Sequence, residues 1–181
     1  IGSQVFKVDS FVKAVEVMAE FSNPLNLPEL SIGGGLGVSY LEEDNAPSIT
    51  EWGEAVKSAC SQSNIKAKVT AEPGRAIAAS AAVTLYRVGT IKHLEGLRTY
   101  VAVDGGMSDN PRPVLYGSGY ETFLPRSTNA VRDQSIRVVG KHCESGDLLV
   151  REGWVPSDMT IGDVIATPVT GASVSYTHLT L

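Results

Sequence analysis

The chain has 181 residues, of which 43% are hydrophobic and 19% are charged, and its formal net charge is −5. This composition is typical of one large globular domain or of two smaller ones. The acidic balance and the lack of a Lys/Arg cluster argue against nucleic-acid binding, because contact with a phosphate backbone requires positive charge. No apolar run approaches the roughly 20 residues that cross a bilayer, so no membrane partner is expected.

The two cysteines, Cys60 and Cys143, stand in unlike contexts. Two isolated thiols do not make a disulfide framework, and they favour a reducing, cytoplasmic location. No cysteine and histidine spacing suits zinc, so no metal site is expected.

Both ends of the chain are unusual for a complete domain. The sequence opens on Ile1 without Met, in residues that resemble the end of a strand running into a loop. It closes on VSYTHLTL, residues 174–181, without a recognisable stop. We therefore expect truncation at both ends, with residues 174–181 as a non-native or disordered tail.

The first predicted elements are a helix and a strand. Asp9-Ser10 is the candidate helix cap, and Asn23-Pro24 is the expected end. Apolar residues between them fall at helical spacing, at Phe11, Ala14, Val15, Met18 and Phe21. A buried strand is then expected over Leu30-Ser31-Ile32.

The same pattern repeats once more along the chain. Ser48 and Glu51 fit a capping box at the start of a second helix, and a strand over residues 66–71 and a small-residue helix over residues 76–82 follow. Loops after strands thus recur near residues 3, 35 and 73. This period of roughly 30 residues is typical of a parallel β/α barrel. Three such units cannot close eight strands, so most of the barrel would lie upstream.

The pattern changes after about residue 83. Five predicted strands, separated by Gly and Pro turns and without a convincing helix, cover residues 83–92, 100–103, 135–139, 148–150 and 164–167. We therefore assign residues 1–83 to the C-terminal part of a β/α barrel and residues 84–173 to an incomplete, mainly β domain. The expected fold class is α/β plus β.

A run of three glycines, Gly33, Gly34 and Gly35, follows the first predicted strand. Glycines at a strand end let the backbone approach an anion and point N–H groups at it. The loops of the last strands of a barrel often form a phosphate site. A tight turn without a ligand remains the alternative, and the spacing of GGGLG does not match the dinucleotide-binding fingerprint.

The run Glu72-Pro73-Gly74-Arg75 follows the next predicted strand. A glutamate at this position could pair with a protonated pyridine nitrogen, and the arginine could bind phosphate or carboxylate through two hydrogen bonds. The alternative is a salt bridge that caps the following helix.

Two loops of the second half are rich in polar residues. The first is DGGMSDNPRPVLY, in which Arg112 and Tyr116 are of the types that bind a substrate carboxylate. The second is HCESGD, which contains Cys143 and Glu144 and could equally be a surface turn before a strand.

In their order and spacing, GGGLG, EPGR, DGGMSDNPRPVLY and CESGD resemble the pyridoxal-phosphate-dependent decarboxylases with the alanine-racemase-like fold. Within that family they are most similar to the branch that acts on diaminopimelate. Each motif alone is weak evidence, but four in order are specific. The resemblance covers residues 1–172 and includes Ile1-Gly2-Ser3-Gln4, which is similar to the family's His-Ile-Gly-Ser-Gln.

The resemblance implies pyridoxal 5′-phosphate as the cofactor. Ser3, the glycines 33–35 and Arg75 would surround its phosphate, and Arg75 would also lie near the substrate. Glu72 would face the pyridine nitrogen and keep it protonated, which preserves the ring as an electron sink.

The resemblance also implies substrate-binding residues and a homodimer with shared active sites. Arg112 and Tyr116 would hold a substrate carboxylate, and Glu144 would recognise the distal end of the amino acid. Cys143 would return a proton to the reacting carbon. In the family, Cys143 and Glu144 serve the partner subunit's site.

Two positions depart from the family pattern. The lysine that binds the cofactor covalently belongs upstream, and no lysine of this chain occupies its motif. The family also has a tyrosine after a Gly-Ala pair, whereas here Gly171-Ala172 is followed by Ser173. The chain alone is therefore expected to be inactive, and the residues after Ala172 to be non-native.

The leading hypothesis is decarboxylation of meso-2,6-diaminopimelate to L-lysine and CO2 by the full-length parent protein. One alternative keeps the chemistry and changes the substrate to ornithine, arginine or a carboxylated polyamine such as carboxynorspermidine. The other is a non-catalytic homologue that binds or regulates a partner. An arginine for a distal carboxylate favours diaminopimelate, since basic substrates would require an acidic residue there.

Overall fold

The structure is a computed structural model that describes residues 1–172. The predicted tail, residues 174–181, lies outside the described residues, as does Ser173. In chain order the elements are α1 (Val8–Leu25), β1 (Glu29–Ser31), α2 (Ile49–Gln62), β2 (Lys68–Thr70), α3 (Gly74–Ala78), a 3-10 turn (Ala79–Ala81), β3 (Thr84–Leu94), β4 (Arg98–Val103), α4 (Arg112–Tyr116), a 3-10 turn (Pro125–Ser127), β5 (Gln134–Val139), β6 (Leu148–Val155) and β7 (Val164–Thr167).

The chain divides into two compact units. Residues Ile1–Ser39 and Glu43–Ala79 form the first, which we name the α/β unit. Tyr40–Glu42 and the described residues from Ser80 onward form the second, the sheet unit. This agrees with the expected fold class, α/β plus β, whereas the domain limits assigned from the sequence stay predictions. Within residues 1–172, no helix has the length and apolar character needed to cross a membrane.

The α/β unit is built from parallel strands and two packed helices. β1 pairs with β2 in parallel, with Leu30 opposite Val69. Val5 forms a further parallel bridge with Leu36, just beyond β1. The core of the unit lies between α1 and α2, where the rings of Phe11 and Trp52 meet edge to face with centroids 5.7 Å apart.

The limits of α1 differ from the sequence prediction. The helix begins at Val8, one residue before Asp9, and Lys7 at the N-cap makes no side-chain hydrogen bond. The predicted Asp9-Ser10 cap is therefore wrong. Asp9 instead lies in the first turn, where its negative charge interacts favourably with the positive end of the helix dipole. Pro24 lies inside the last turn, the helix ends at Leu25, and Asn26 follows at the C-cap in a left-handed conformation.

The start of α2 confirms the predicted capping box. The Ser48 hydroxyl accepts a hydrogen bond from the Glu51 amide, and the Glu51 carboxylate accepts one from the Ser48 amide. β1 departs from the prediction, because Glu29 and Ser31 are exposed and Leu30 is only half-buried. The sequence analysis predicts a buried strand here, whereas two of the three strand residues are exposed within the described residues.

The sheet unit contains one mixed sheet of five strands in the order β6-β5-β4-β3-β7. β4 and β5 run parallel, and all other neighbouring pairs are antiparallel. Along β4, buried and half-buried residues alternate with the two-residue period of a strand, so that Val101 and Val103 point into the core. The five predicted strands are thus confirmed, although the sequence did not predict the five-residue helix α4.

Candidate active site

In the α/β unit, three predicted site segments lie side by side because the chain runs in parallel there. The Val5 amide donates to the Gly35 carbonyl oxygen at 2.9 Å, and the Glu72 amide donates to the Gly33 carbonyl oxygen at 2.8 Å. The loop of Gly33–Gly35 therefore lies between the segment after Ser3 and the segment that begins at Glu72. Carboxyl ends of parallel strands are the usual position of binding sites in α/β folds.

The glycine loop has a backbone that other residues would not allow. Gly33 and Gly35 have φ angles of 70° and 104°, in the region that favours glycine. A Cβ on Gly34 would collide with the Glu72 carbonyl group, and one on Gly35 would collide with the Gly2 carbonyl group. Within residues 1–172, the amide N–H groups of Gly34 and Gly35 have no hydrogen-bond acceptor. These two donors are therefore available to a ligand.

Arg75 is held next to Ser3 by hydrogen bonds. Its Nη2 donates to Ser3 Oγ at 3.1 Å, and its Nη1 donates to Gln4 Oε1 at 3.4 Å. The Gln4 side chain is itself fixed, since its Nε2 donates to the Val38 carbonyl oxygen at 2.6 Å. This arrangement gives a guanidinium and a hydroxyl in one position, which is suited to phosphate oxygens.

Glu72 is oriented by a residue that the sequence did not single out. Ser31 Oγ donates to Glu72 Oε1 at 2.6 Å, and the Gly33 amide donates to the same Ser31 oxygen at 3.2 Å. The Glu72 carboxylate is exposed within the described residues, so its other oxygen can accept a hydrogen bond from a protonated ring nitrogen.

Together these residues fit a phosphorylated ligand that carries a basic ring nitrogen. Free amides at Gly34 and Gly35, with the Arg75 guanidinium and the Ser3 hydroxyl, are donors for a phosphate. Glu72 supplies the single carboxylate for the ring. The predicted cofactor residues are thus all in the α/β unit, although their roles stay predictions.

In the sheet unit, Arg112 is buried, with only 5% of its surface exposed. Its guanidinium carbon lies 5.1 Å from the centre of the Tyr40 ring and 5.3 Å from that of Tyr116. Arg112 and Tyr116 are the first and last residues of α4, and the i, i+4 spacing of a helix brings their side chains together. Arg112 Nη2 also donates to Ser118 Oγ at 3.1 Å.

No carboxylate compensates the charge of Arg112. In the described part of the chain it forms no ion pair, and its Nε has no hydrogen-bond acceptor although the atom is buried. A buried unpaired cation costs several kcal/mol, of which two aromatic faces return only about 0.5–2 kcal/mol each. Within the described residues, the Nε–H group of Arg112 thus remains without an acceptor, and the role of Arg112 in binding a substrate carboxylate stays a prediction.

The loop that carries Cys143 and Glu144 is fastened by Asp147, which is 3% exposed. One carboxylate oxygen accepts a hydrogen bond from the Met107 amide at 2.6 Å, and the other accepts one from the His142 amide at 2.8 Å. Asp147 thus joins the HCESGD loop to the DGGM loop. The side chains of Cys143 and Glu144 are exposed, and within residues 1–172 they form no hydrogen bond or ion pair with Arg112 or Tyr116.

Two tyrosines behind these loops are buried. Burial, and next the carboxylate of Asp109, raises the pKa of Tyr86 well above its usual range. Burial, and next the neighbouring Tyr40, raises the pKa of Tyr120. Both phenols therefore stay neutral at physiological pH and contribute packing rather than charge.

The structure adds four residues to those that the sequence singled out for these sites: Gln4, Ser31, Tyr40 and Asp147. Gln4 and Asp147 belong to the motifs that carried the resemblance, but no role was given to them. In the sequence, Ser31 precedes the three glycines and Tyr40 follows them, and only the fold shows what their side chains contact.

Comparison with known proteins gives a consistent result. Residues 8–171 match the family described as pyridoxal-dependent decarboxylase, C-terminal sheet domain. The chain is 44% identical to a diaminopimelate decarboxylase of Synechocystis sp., covering 98% of this chain and 39% of the relative. It is 41% identical to one of Mycobacterium tuberculosis, covering 95% of this chain and 43% of the relative. The chain thus spans about two fifths of the length of these curated relatives.

Solved structures show the same relation. The diaminopimelate decarboxylase of Helicobacter pylori, complexed with L-lysine, superposes with a TM-score of 0.83 at 28% identity. The match covers 97% of this chain and 43% of that one. A lysine/ornithine decarboxylase of Vibrio vulnificus superposes with a TM-score of 0.77 at 24% identity, which shows a shared fold alone.

Proposed function

We propose, since this chain belongs to the pyridoxal-dependent decarboxylase family, that its parent protein converts meso-2,6-diaminopimelate into L-lysine and CO2. The relatives that are 41–44% identical carry the name diaminopimelate decarboxylase, and the Helicobacter pylori structure contains L-lysine. By "parent" we mean the longer protein of which this chain would form about two fifths.

The single observation that carries the substrate assignment is the buried, uncompensated Arg112. Diaminopimelate has an amino acid at each end, so that a carboxylate remains at the distal end while the other is lost as CO2. Ornithine has only an ammonium group there. A buried guanidinium whose Nε has no acceptor among the described residues, close to the rings of Tyr40 and Tyr116, favours a carboxylate and penalises an ammonium.

The cofactor would be pyridoxal 5′-phosphate. Ser3, Arg75 and the amides of Gly34 and Gly35 would bind its phosphate, and Glu72 would bind the ring nitrogen. When bound, it supplies an electron sink for the pair of electrons left on the carbon that loses CO2.

Cys143 and Glu144 would complete the reaction in the partner subunit of a cytoplasmic homodimer. The exposed Cys143 Sγ–H would donate a proton to the carbon whose bond to the carboxyl group has broken, leaving a thiolate. Glu144 would accept hydrogen bonds from the distal ammonium group of the substrate. Asp147 keeps both residues on a fixed loop.

The test is CO2 release by the purified parent with pyridoxal phosphate. We expect release from meso-diaminopimelate, with L-lysine as the product, and far less from ornithine. Preferential release from ornithine would contradict the substrate assignment, and binding without release from any amino acid would favour the non-catalytic alternative.

Two further measurements test the assigned roles. Glu72→Gln in the parent should depress kcat much more than cofactor affinity, and unchanged turnover would remove its role. The 181-residue chain alone should show no turnover, and measurable decarboxylation by it would refute the need for an upstream lysine.

A further inference from the structure

We propose that Ser31 is a positioning residue for Glu72, and that its hydroxyl selects which carboxylate oxygen faces the cofactor ring. The proposal rests on the function proposed above. Its basis is the pair of hydrogen bonds at Ser31 Oγ, to Glu72 Oε1 at 2.6 Å and from the Gly33 amide at 3.2 Å.

The direction of both hydrogen bonds is fixed by chemistry. An amide N–H can only donate, so the Gly33 amide occupies an acceptor site of the Ser31 hydroxyl. An ionised carboxylate can only accept, so the one hydroxyl hydrogen must point at Glu72. The series Gly33 N–H, Ser31 O–H, Glu72 Oε1 therefore runs one way and ends on the carboxylate. Hydrogen bonds arranged in this way polarise and strengthen one another.

The backbone around this series is also fixed. Ser31 is opposite Thr70 in the parallel register of β1 and β2, and the Ile32 amide donates to the Thr70 carbonyl oxygen at 3.0 Å. The Glu72 amide donates to the Gly33 carbonyl oxygen at 2.8 Å. The side chain of Glu72 is the remaining flexible part, and within residues 1–172 Ser31 is the one residue with a hydrogen bond to its carboxylate.

As a consequence, the two oxygens of the Glu72 carboxylate have different partners. Oε1 is occupied by Ser31, and Oε2 remains for the ring nitrogen. Without the hydroxyl, an exposed glutamate rotates freely between staggered conformers, and the ring nitrogen loses a pre-placed acceptor. Charged groups stabilise a transition state most when they are already in position before the reaction begins. A 1 Å error in the position of such a group can lower the rate by about 100-fold.

The test uses the parent protein with Ser31→Ala, and Ser31→Thr as the variant that keeps a hydroxyl. Ser31→Ala should lower kcat by about 10- to 100-fold. Cofactor affinity should change less than about threefold, since the phosphate donors are untouched. The 15N chemical shift of the bound cofactor's ring nitrogen should move toward the neutral form, and Ser31→Thr should restore both values.

Ser39→Ala is the matched control. Ser39 also donates and accepts hydrogen bonds, with the Asp44 carbonyl oxygen and the Ala46 amide, and it follows the same glycine loop. It should leave kcat and the nitrogen signal unchanged.

An unchanged ring-nitrogen signal in Ser31→Ala would overturn the proposal, even if activity fell, because a merely structural role would lower activity without changing the nitrogen. A wild-type parent that binds the cofactor but decarboxylates nothing would overturn the proposed function instead. In that case the 15N signal alone still decides whether Ser31 positions Glu72.

Discussion

Replacing Arg112 by methionine in the parent separates substrate recognition from stability. Methionine keeps most of the apolar length of the side chain and removes the charge. If Arg112 binds the distal carboxylate, the lost charge-assisted hydrogen bonds are worth about 1.5–3 kcal/mol. That range corresponds to a rise in KM for meso-diaminopimelate of about 10- to 150-fold.

The same replacement should cost little stability. The fold loses contacts of the guanidinium with the rings of Tyr40 and Tyr116, about 0.5–2 kcal/mol each. It also loses a buried charge that costs several kcal/mol and has no carboxylate partner within residues 1–172. Because the two effects oppose each other, the thermal midpoint should stay close to that of the wild type.

The assay is steady-state CO2 release combined with thermal unfolding. Arg126→Met is the matched control from the sheet unit, because Arg126 is partly exposed and binds two carboxylates, Asp158 and Asp163. The control should lower the thermal midpoint and leave KM unchanged. An unchanged KM in a folded Arg112→Met protein would refute the assignment of Arg112 to the substrate carboxylate.

Two other predictions concern the sheet unit. Asp147→Asn replaces one of the two oxygens that accept hydrogen bonds from the Met107 and His142 amides by an NH2 group. The change should lower the free energy of unfolding in urea by about 1–3 kcal/mol, and it should lower kcat because the loop of Cys143 is less firmly held. If neither quantity changes, Asp147 does not fasten this loop. Hydrogen bonds from Arg126 lower the pKa of Asp158 and of Asp163. A carboxyl group whose pKa is lowered in the folded state stabilises the fold at pH values above its unfolded-state pKa, which is about 3.9. This contribution disappears as the pH falls through the folded-state pKa. Acid unfolding should therefore be shallower below about pH 5 in Arg126→Met, and superimposable acid transitions of the two proteins would contradict this.

The sequence predicted the fold where local signals agreed. The Ser48 and Glu51 capping box and the two-residue alternation of β4 are local patterns, and both are present in the structure. The Asp9-Ser10 cap prediction was wrong because the helix begins at Val8, so that both residues already lie in its first turn. The predicted burial of β1 failed because so short a segment does not reveal which neighbours cover it.

The candidate site was predictable as a list of residues but not as a geometry. Periodicity placed Gly33–Gly35 and Glu72 at neighbouring strand ends, and the parallel pairing of β1 and β2 brings them together. The Ser31 hydrogen bond joins residues 41 positions apart, and the contact of Tyr40 with Arg112 also joins residues that are distant in the sequence. Such contacts depend on tertiary packing, for which a single sequence has no local signal.

The most direct test of the account is a crystal structure of the parent with pyridoxal phosphate and L-lysine. L-lysine keeps the carboxylate of the distal end, and we predict that the Arg112 guanidinium binds it through two hydrogen bonds of about 2.7–2.9 Å. The Glu72 carboxylate should at the same time face the ring nitrogen. An L-lysine carboxylate bound elsewhere, with Arg112 facing no ligand, would contradict the central claim that this buried guanidinium binds the substrate carboxylate.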